Sequence, residues 1–198
     1  GLPEWQARAA LLTPIAKSYG TDIGNEVAQL GVQVHGGMGY IEETGAAQFA
    51  RDARVTAIYE GTNGIQAMDL VARKMMDNGD AAYRLIDEVQ AEAELARTGQ
   101  PDLATAVWTA AEALREATEA LVAMALNDRF AGAVPYLRAF ARVLGGHFHL
   151  KAAVSDADRV ALAQFAIKRL LPEHSGLLAQ VREGAAGVYA VTPEVLSA

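Results

Sequence analysis

Glu60 stands in Tyr59-Glu60-Gly61-Thr62, a carboxylate on a glycine-containing turn directly ahead of an amphipathic helix. Such a group can serve as a general base if it is held against a carbon acid and shielded from water. Desolvation strengthens a carboxylate as a base, while the positive end of a following helix works the other way. The commoner role of a glutamate before a helix is that of a capping or solvated residue. Upstream, Gln33-Val34-His35-Gly36-Gly37-Met38-Gly39-Tyr40 reads as a helix running into a glycine-rich turn. Taken alone, Gly36 and Gly37 are an ordinary helix stop. Small residues also let backbone amides approach an anionic group, and Gln33 can both donate and accept hydrogen bonds. Between the two turns lies Arg51-Asp52-Ala53-Arg54, in which Arg51 suits an orienting ion pair better than catalysis. His147 and His149 are two residues apart and face different sides of a helix, where metal ligands want a spacing of three or four. No metal site is expected from the histidines, and Trp5 and Trp108 read as packing residues.

In their order along the chain these motifs resemble the C-terminal part of the acyl-CoA dehydrogenases, flavoenzymes that form a double bond next to a CoA thioester. The resemblance is close over residues 8–76. It implies that Glu60 is the catalytic base for the α-proton. It also implies that the Glu60 backbone N–H is one donor of an oxyanion hole for the thioester oxygen. Gly61 would let backbone and substrate approach without an intervening Cβ. The same resemblance implies FAD as cofactor, with Gln33, Gly36 and Gly37 touching its adenosine-diphosphate half, usually on a flavin of a neighbouring subunit. Thr62 would reach the flavin region and could cap the next helix at the same time. Position 64 departs from the pattern: several family members carry a glutamine there that reaches FAD, whereas Gly64 has no side chain. The implied partners are an acyl-CoA substrate, an electron acceptor such as an electron-transferring flavoprotein, and further copies of the chain in a homodimer or tetramer.

The elements that must position these groups are almost all helical. Val55-Thr56-Ala57-Ile58-Tyr59 is β-prone but too short and isolated to found a sheet. The pattern predicts a helix over 3–12, then a second that Thr13-Pro14 caps and opens, running to His35. Ile15, Tyr19, Ile23, Val27, Leu30 and Val34 lie along one face of it. A short helix follows over 46–54. Another begins near Thr62, with Ile65, Met68, Ala72 and Met75 together. Asp77-Asn78-Gly79-Asp80 is the best boundary. Beyond it come long alanine-rich helices, the clearest with Leu103, Val107, Ala110, Leu114, Ala117, Leu121 and Met124 as a bundle seam. Pro135 opens the next, with Tyr136, Phe140, Val143, His147 and Leu150 inward; Ser155-Asp156 caps another, and Pro172 starts the last major one. The expected fold is therefore all-α: the last helices of the acyl-CoA dehydrogenase C-terminal helical bundle in 1–78, and an appended helical bundle in 79–198. The longer members of the family carry such an extra domain. Gly145-Gly146-His147-Phe148 and Leu170-Leu171-Pro172-Glu173 are the kind of landmark it shows.

Bulk properties narrow the function further. With 52% hydrophobic residues and a net charge of −7, the chain has no general attraction for nucleic acid or anionic membrane. It has no cysteine, which removes thiol chemistry and fits a cytoplasmic protein. No apolar run approaches the roughly 20 residues that span a bilayer. The start at Gly1 without methionine, partway through the family's pattern, reads as a piece of a longer polypeptide, inactive by itself. Two other readings stay open: a family member that has drifted away from dehydrogenation, and an assembly or interaction module built on the alanine-rich helices.

Overall fold

In the computed structural model, which describes residues 1–197, every regular element is helical and no strand forms among those residues. The first helix, α1 (Leu2–Val34), is continuous through Pro14, where the sequence suggests two pieces. An interior proline removes one backbone bond and costs about 3 kcal/mol. Here Leu11, Pro14, Ile15 and Ser18 form the buried face of α1, and Leu11 and Ile15 belong to the main core. Packing of that face outweighs the local penalty. Thr13 donates its hydroxyl to the Ala9 carbonyl at 2.7 Å, inside the helix rather than as its cap.

After α1 come a single turn, α2 (Gly37–Tyr40), and then α3 (Ala46–Thr56) and α4 (Asn63–Val71). The β-prone Val55 and Thr56 extend α3 instead of starting a strand. In α4 the buried residues are Ala67, Leu70 and Val71, and Ile65 is exposed. The expected row of Ile65, Met68, Ala72 and Met75 fails: within the helix the buried face runs through Ala67, Leu70 and Val71 instead, and the α-helix ends at Val71. A 3₁₀ turn over Arg73–Met75 then changes the phase and delivers Met75 to the core. Asn78 and Gly79 adopt left-handed backbone angles, φ 59° and 84°. The Asp77 carboxylate accepts from Gly79 N and Ala81 N at 3.0 Å each, which starts α5 (Asp80–Ala96).

Then follow α6 (Pro101–Ala123), α7 (Leu126–Ala131), α8 (Ala133–Ser155), α9 (Val160–Phe165), α10 (Glu173–Arg182), α11 (Ala186–Ala190) and α12 (Pro193–Leu196). Helices α5, α6, α8 and α10 pack on one another as a bundle, and α1 and α4 both lie against α8. The seam of α6 is buried from Leu103 to Leu121, and Met124 falls just past the helix end. On α8, Tyr136, Phe140, Val143, His147 and Leu150 are all buried. Tyr136 places its hydroxyl 2.7 Å from Thr118 Oγ1, so its one polar atom is satisfied inside the core. The two glycine and proline landmarks of the sequence meet in space: a Cβ on Gly146 would come 3.2 Å from Leu171. The glycine gives Leu171, just past the π-helical turn Ala166–Leu170, a close seat on α8. Glu173, just beyond, accepts from Arg138 at 2.7 Å and also from Arg142. One hydrophobic cluster runs from Leu11 through Met75 to Val181, so both halves of the chain share a core.

Candidate active site

The Glu60 turn is built from the helices around it. Asn63 N donates to Ala57 O at 3.2 Å, closing a loop between α3 and α4. Inside it Glu60 has φ 55° and Gly61 φ 81°. A left-handed conformation costs a residue with a side chain about 1–2 kcal/mol, so the surroundings must hold Glu60 in place. Gln66 Nε2 donates to the Glu60 carbonyl at 3.0 Å, and Lys17 Nζ from α1 donates to the Gly61 carbonyl at 2.8 Å. Gly61 is favoured by its φ, and a Cβ there would come 3.1 Å from Gln66 Nε2 and crowd the side chain that holds the Glu60 carbonyl.

Asn63 is the hub. Its Nδ2 donates to Thr21 Oγ1 at 2.9 Å, Asp22 Oδ1 at 2.6 Å and Ser18 O at 3.2 Å, while its Oδ1 accepts from Lys17 at 2.8 Å. The Lys17 ammonium also sits 5.9 Å from the centre of the Tyr59 ring. Thr62 caps α4, its hydroxyl oxygen accepting from Ile65 N at 3.4 Å, and the hydroxyl proton stays available to another acceptor. Glu60 itself is exposed. Among the described residues no acceptor is hydrogen-bonded to its backbone N–H. Lys17, Asn63 and Gln66 were not singled out by sequence reasoning. An amide flanked by the turn's threonine and a glycine, in Thr62-Asn63-Gly64, was the available signal.

The glycine-rich turn is a separate place. Gln33, Gly36 and Gly37 are exposed at the end of α1. Gly36 has φ 61°, and a Cβ on Gly37 would meet nothing within 4 Å. Gly39 is the structural member: buried, with a Cβ there falling 2.2 Å from the Val32 carbonyl oxygen. Thr44 ties the turn by donating to Met38 O at 2.6 Å. Arg51 pairs with Glu42 at 2.8 Å, the orienting role its sequence suggests. The Glu60 turn docks on α1 at residues 17–22 and Gln33 lies 11 or more residues further on. At 1.5 Å per residue the two groups are separated by roughly 20 Å along the helix. The chain therefore does not bring Gln33, Gly36 and Gly37 to Glu60. His147, set aside on its spacing from His149, faces Glu88 and Glu92 of α5.

Around these turns a band of apolar side chains is open: Val27, Leu30, Val34, Met38, Tyr40 and Phe49 are each more than half exposed. The outer half of the apolar row on α1 is thus uncovered by the described residues. No helix among them is long and apolar enough to cross a membrane.

The profile described as "Acyl-CoA dehydrogenase, C-terminal domain" matches residues 4–76, and "Acetyl-CoA dehydrogenase C-terminal like" matches residues 85–192. The chain belongs to the acyl-CoA dehydrogenase family. It is 45% identical over 141 residues to a 3-methylmercaptopropionyl-CoA dehydrogenase of Ruegeria pomeroyi, covering 68% of this chain and 24% of that protein. A butyryl-CoA dehydrogenase of Syntrophomonas wolfei is 36% identical over 77 residues, 38% of this chain and 13% of the relative. A caffeyl-CoA reductase-Etf complex subunit of Acetobacterium woodii is 48% identical over 54 residues, 27% of this chain and 14% of that protein. The chain thus spans about a quarter of the length of the first of these relatives and less of the others.

Proposed function

We propose that this chain is the C-terminal portion of an FAD-dependent acyl-CoA dehydrogenase in which Glu60 removes the α-proton of an acyl-CoA thioester. The single observation that carries the reading is the left-handed Glu60. Backbone strain of this kind persists where surrounding contacts over-determine it and concentrates at functional sites. Here Lys17 and Gln66 donate to the Gly61 and Glu60 carbonyls of one exposed turn, and Asn63 just after it ties Lys17 and α1 to the start of α4. Glu60 offers the carboxylate, and its N–H donates to the thioester oxygen as enolate charge develops. Gly61 keeps the approach clear. Enclosure of the site by substrate desolvates the carboxylate and strengthens it as a base.

Gln33, Gly36 and Gly37 would hold the adenosine-diphosphate half of FAD, and Thr62 the flavin region. The open space over Gly37, where a Cβ meets nothing, fits a group lying close to the backbone. FAD, when bound, would supply the acceptor for the hydride leaving the β-carbon. The roughly 20 Å between the two turns along α1 supports a cofactor held by Gln33, Gly36 and Gly37 that belongs mainly to another subunit. The uncovered apolar band supports a homodimer or tetramer. Residues 79–198 would act as an appended helical domain that docks through apolar faces and makes no direct contact with the reacting carbon. An electron-transferring flavoprotein would take the electrons onward.

The test is Glu60→Gln in the intact enzyme, which keeps the side-chain size and the backbone N–H while deleting the base. FAD content and acyl-CoA binding should be retained and turnover should fall by about 10²–10⁴. Turnover within a few-fold of wild type would place the base elsewhere.

A further inference from the structure

We propose that Glu88 and Glu92 of α5 and His147 of α8 form a binding site for a first-row divalent cation, with Zn²⁺ the best match to the donor set. The two glutamates are four residues apart and so share one face of the helix. His147 faces them across the bundle, and one ligand atom from each of the three lies within 4.8 Å of the others. His147 is 1% exposed, and its Nε2 is buried with no hydrogen-bond partner among the described residues.

That Nε2 is 3.6 Å from Glu92 Oε2. The separation is too long for a hydrogen bond. It is close to the distance of about 3.4 Å between two donor atoms on a tetrahedral Zn²⁺ with bonds of 2.0–2.1 Å. Burial, the largest influence, pushes the His147 pKa below its ordinary value, with the Glu92 carboxylate opposing.

Two cations now balance the carboxylates. Lys151 Nζ donates to Glu92 Oε1 at 2.9 Å, and Arg8 donates to both oxygens of Glu88. Lys151 is 55% exposed on a flexible stem, so an entering dication displaces it into water. Arg8, the more buried of the two, keeps one Glu88 oxygen and orients the other, the outer-shell role that ligating carboxylates need. A cleft of about 250 Å³ that Glu92 and His147 line together with Leu95, Leu150 and Val154 admits the ion and the water that completes a four-coordinate shell. Such an ion would tie α5 to α8 independently of any chemistry at Glu60.

Equilibrium dialysis of the chelator-stripped intact protein against Zn²⁺, read by elemental analysis, tests the proposal, with Glu92→Gln and Lys151→Met beside wild type. Both changes are at partly exposed side chains, and circular dichroism verifies folding. Wild type should take up one Zn²⁺ per chain. Glu92→Gln should weaken binding by about tenfold or more, and Lys151→Met should tighten it severalfold because the competing ammonium is gone. Zn²⁺ should raise the melting temperature of wild type and not that of Glu92→Gln. Failure of stoichiometric uptake, equal uptake by Glu92→Gln, or unchanged affinity in Lys151→Met would each overturn the site.

Discussion

Asn63→Ala removes the hub that clamps the Glu60 turn to α1, and its cost can be worked out bond by bond. The amide makes three short contacts: to Asp22 at 2.6 Å, to Thr21 at 2.9 Å and from Lys17 at 2.8 Å. Two of these partners are charged. Hydrogen bonds to charged groups contribute about 1.5–3 kcal/mol each and neutral ones about 1. Lys17 and Asp22 are only partly buried, so water replaces much of what they lose. Thr21 also keeps its bond to the Lys17 carbonyl at 2.8 Å. The expected loss of stability is then about 2–3 kcal/mol, below the bare sum.

The catalytic effect is separate. With the clamp gone, the turn can shift on α1, which moves the Glu60 carboxylate off its line of attack. Misplacement of a reacting group by about 1 Å costs on the order of 10²-fold, so turnover should fall 10- to 100-fold. Denaturant unfolding followed by circular dichroism measures the first quantity, and bleaching of flavin absorbance on mixing with acyl-CoA the second. Lys17→Met, which loses the Gly61 contact but leaves Asn63 and Asp22 joined, should show a smaller loss of both. Asn63→Ala within about 0.5 kcal/mol and threefold of wild type would refute the clamp.

The glycines of the upstream turn should separate by role. Gly37→Val should weaken FAD retention and barely alter stability, whereas Gly39→Ala should cost about 1–3 kcal/mol because its Cβ meets the Val32 carbonyl; equal effects on flavin content would remove the distinction. Acid should loosen the docking of α1 on α5. The Arg8 hydrogen bond to Glu88 holds that carboxyl below its usual value of 4.5, with burial opposing. The pair's contribution is therefore present above about pH 4.5 and lost as pH falls through the lower folded value. Glu88→Gln should lack that part of the acid transition, and an identical pH profile would exclude it. A structure with acyl-CoA bound should show no side chain from 80–197 touching the thioester.

Much of the helical architecture is legible along the chain because its signals are local. The seam of α6 and the inward face of α8 follow from spacing alone, and Asp77 to Asp80 carries its own turn chemistry. The misreadings share a cause. Pro14 reads as a start because local propensity sees only the missing N–H, while Leu11 and Ile15 bury a face that makes an unbroken helix worthwhile. In α4 the packing against α1 and α8 buries Ala67, Leu70 and Val71 rather than Ile65, and the shift at Ala72 to a 3₁₀ turn has no marker in the sequence.

The glutamate turn divides the same way. Glu60, Gly61 and Thr62 are recognisable as a unit because glycine chemistry, capping and a carboxylate coincide within four residues. Their angles are a different matter: the turn that holds a left-handed Glu60 is bonded by Lys17, 43 positions away in the chain, and only the packing of α4 on α1 brings it there. Likewise the spacing of His147 and His149 bears only on whether one helix can present both to a metal. Spacing within a helix says nothing of Glu88 and Glu92, which reach His147 across the bundle. Periodicity and turn residues act through neighbours along the chain, so the sequence by itself determines where helices lie and which faces turn inward. Clamps, orphaned polar atoms and ligand clusters are made by side chains far apart in sequence, and the tertiary structure alone decides them.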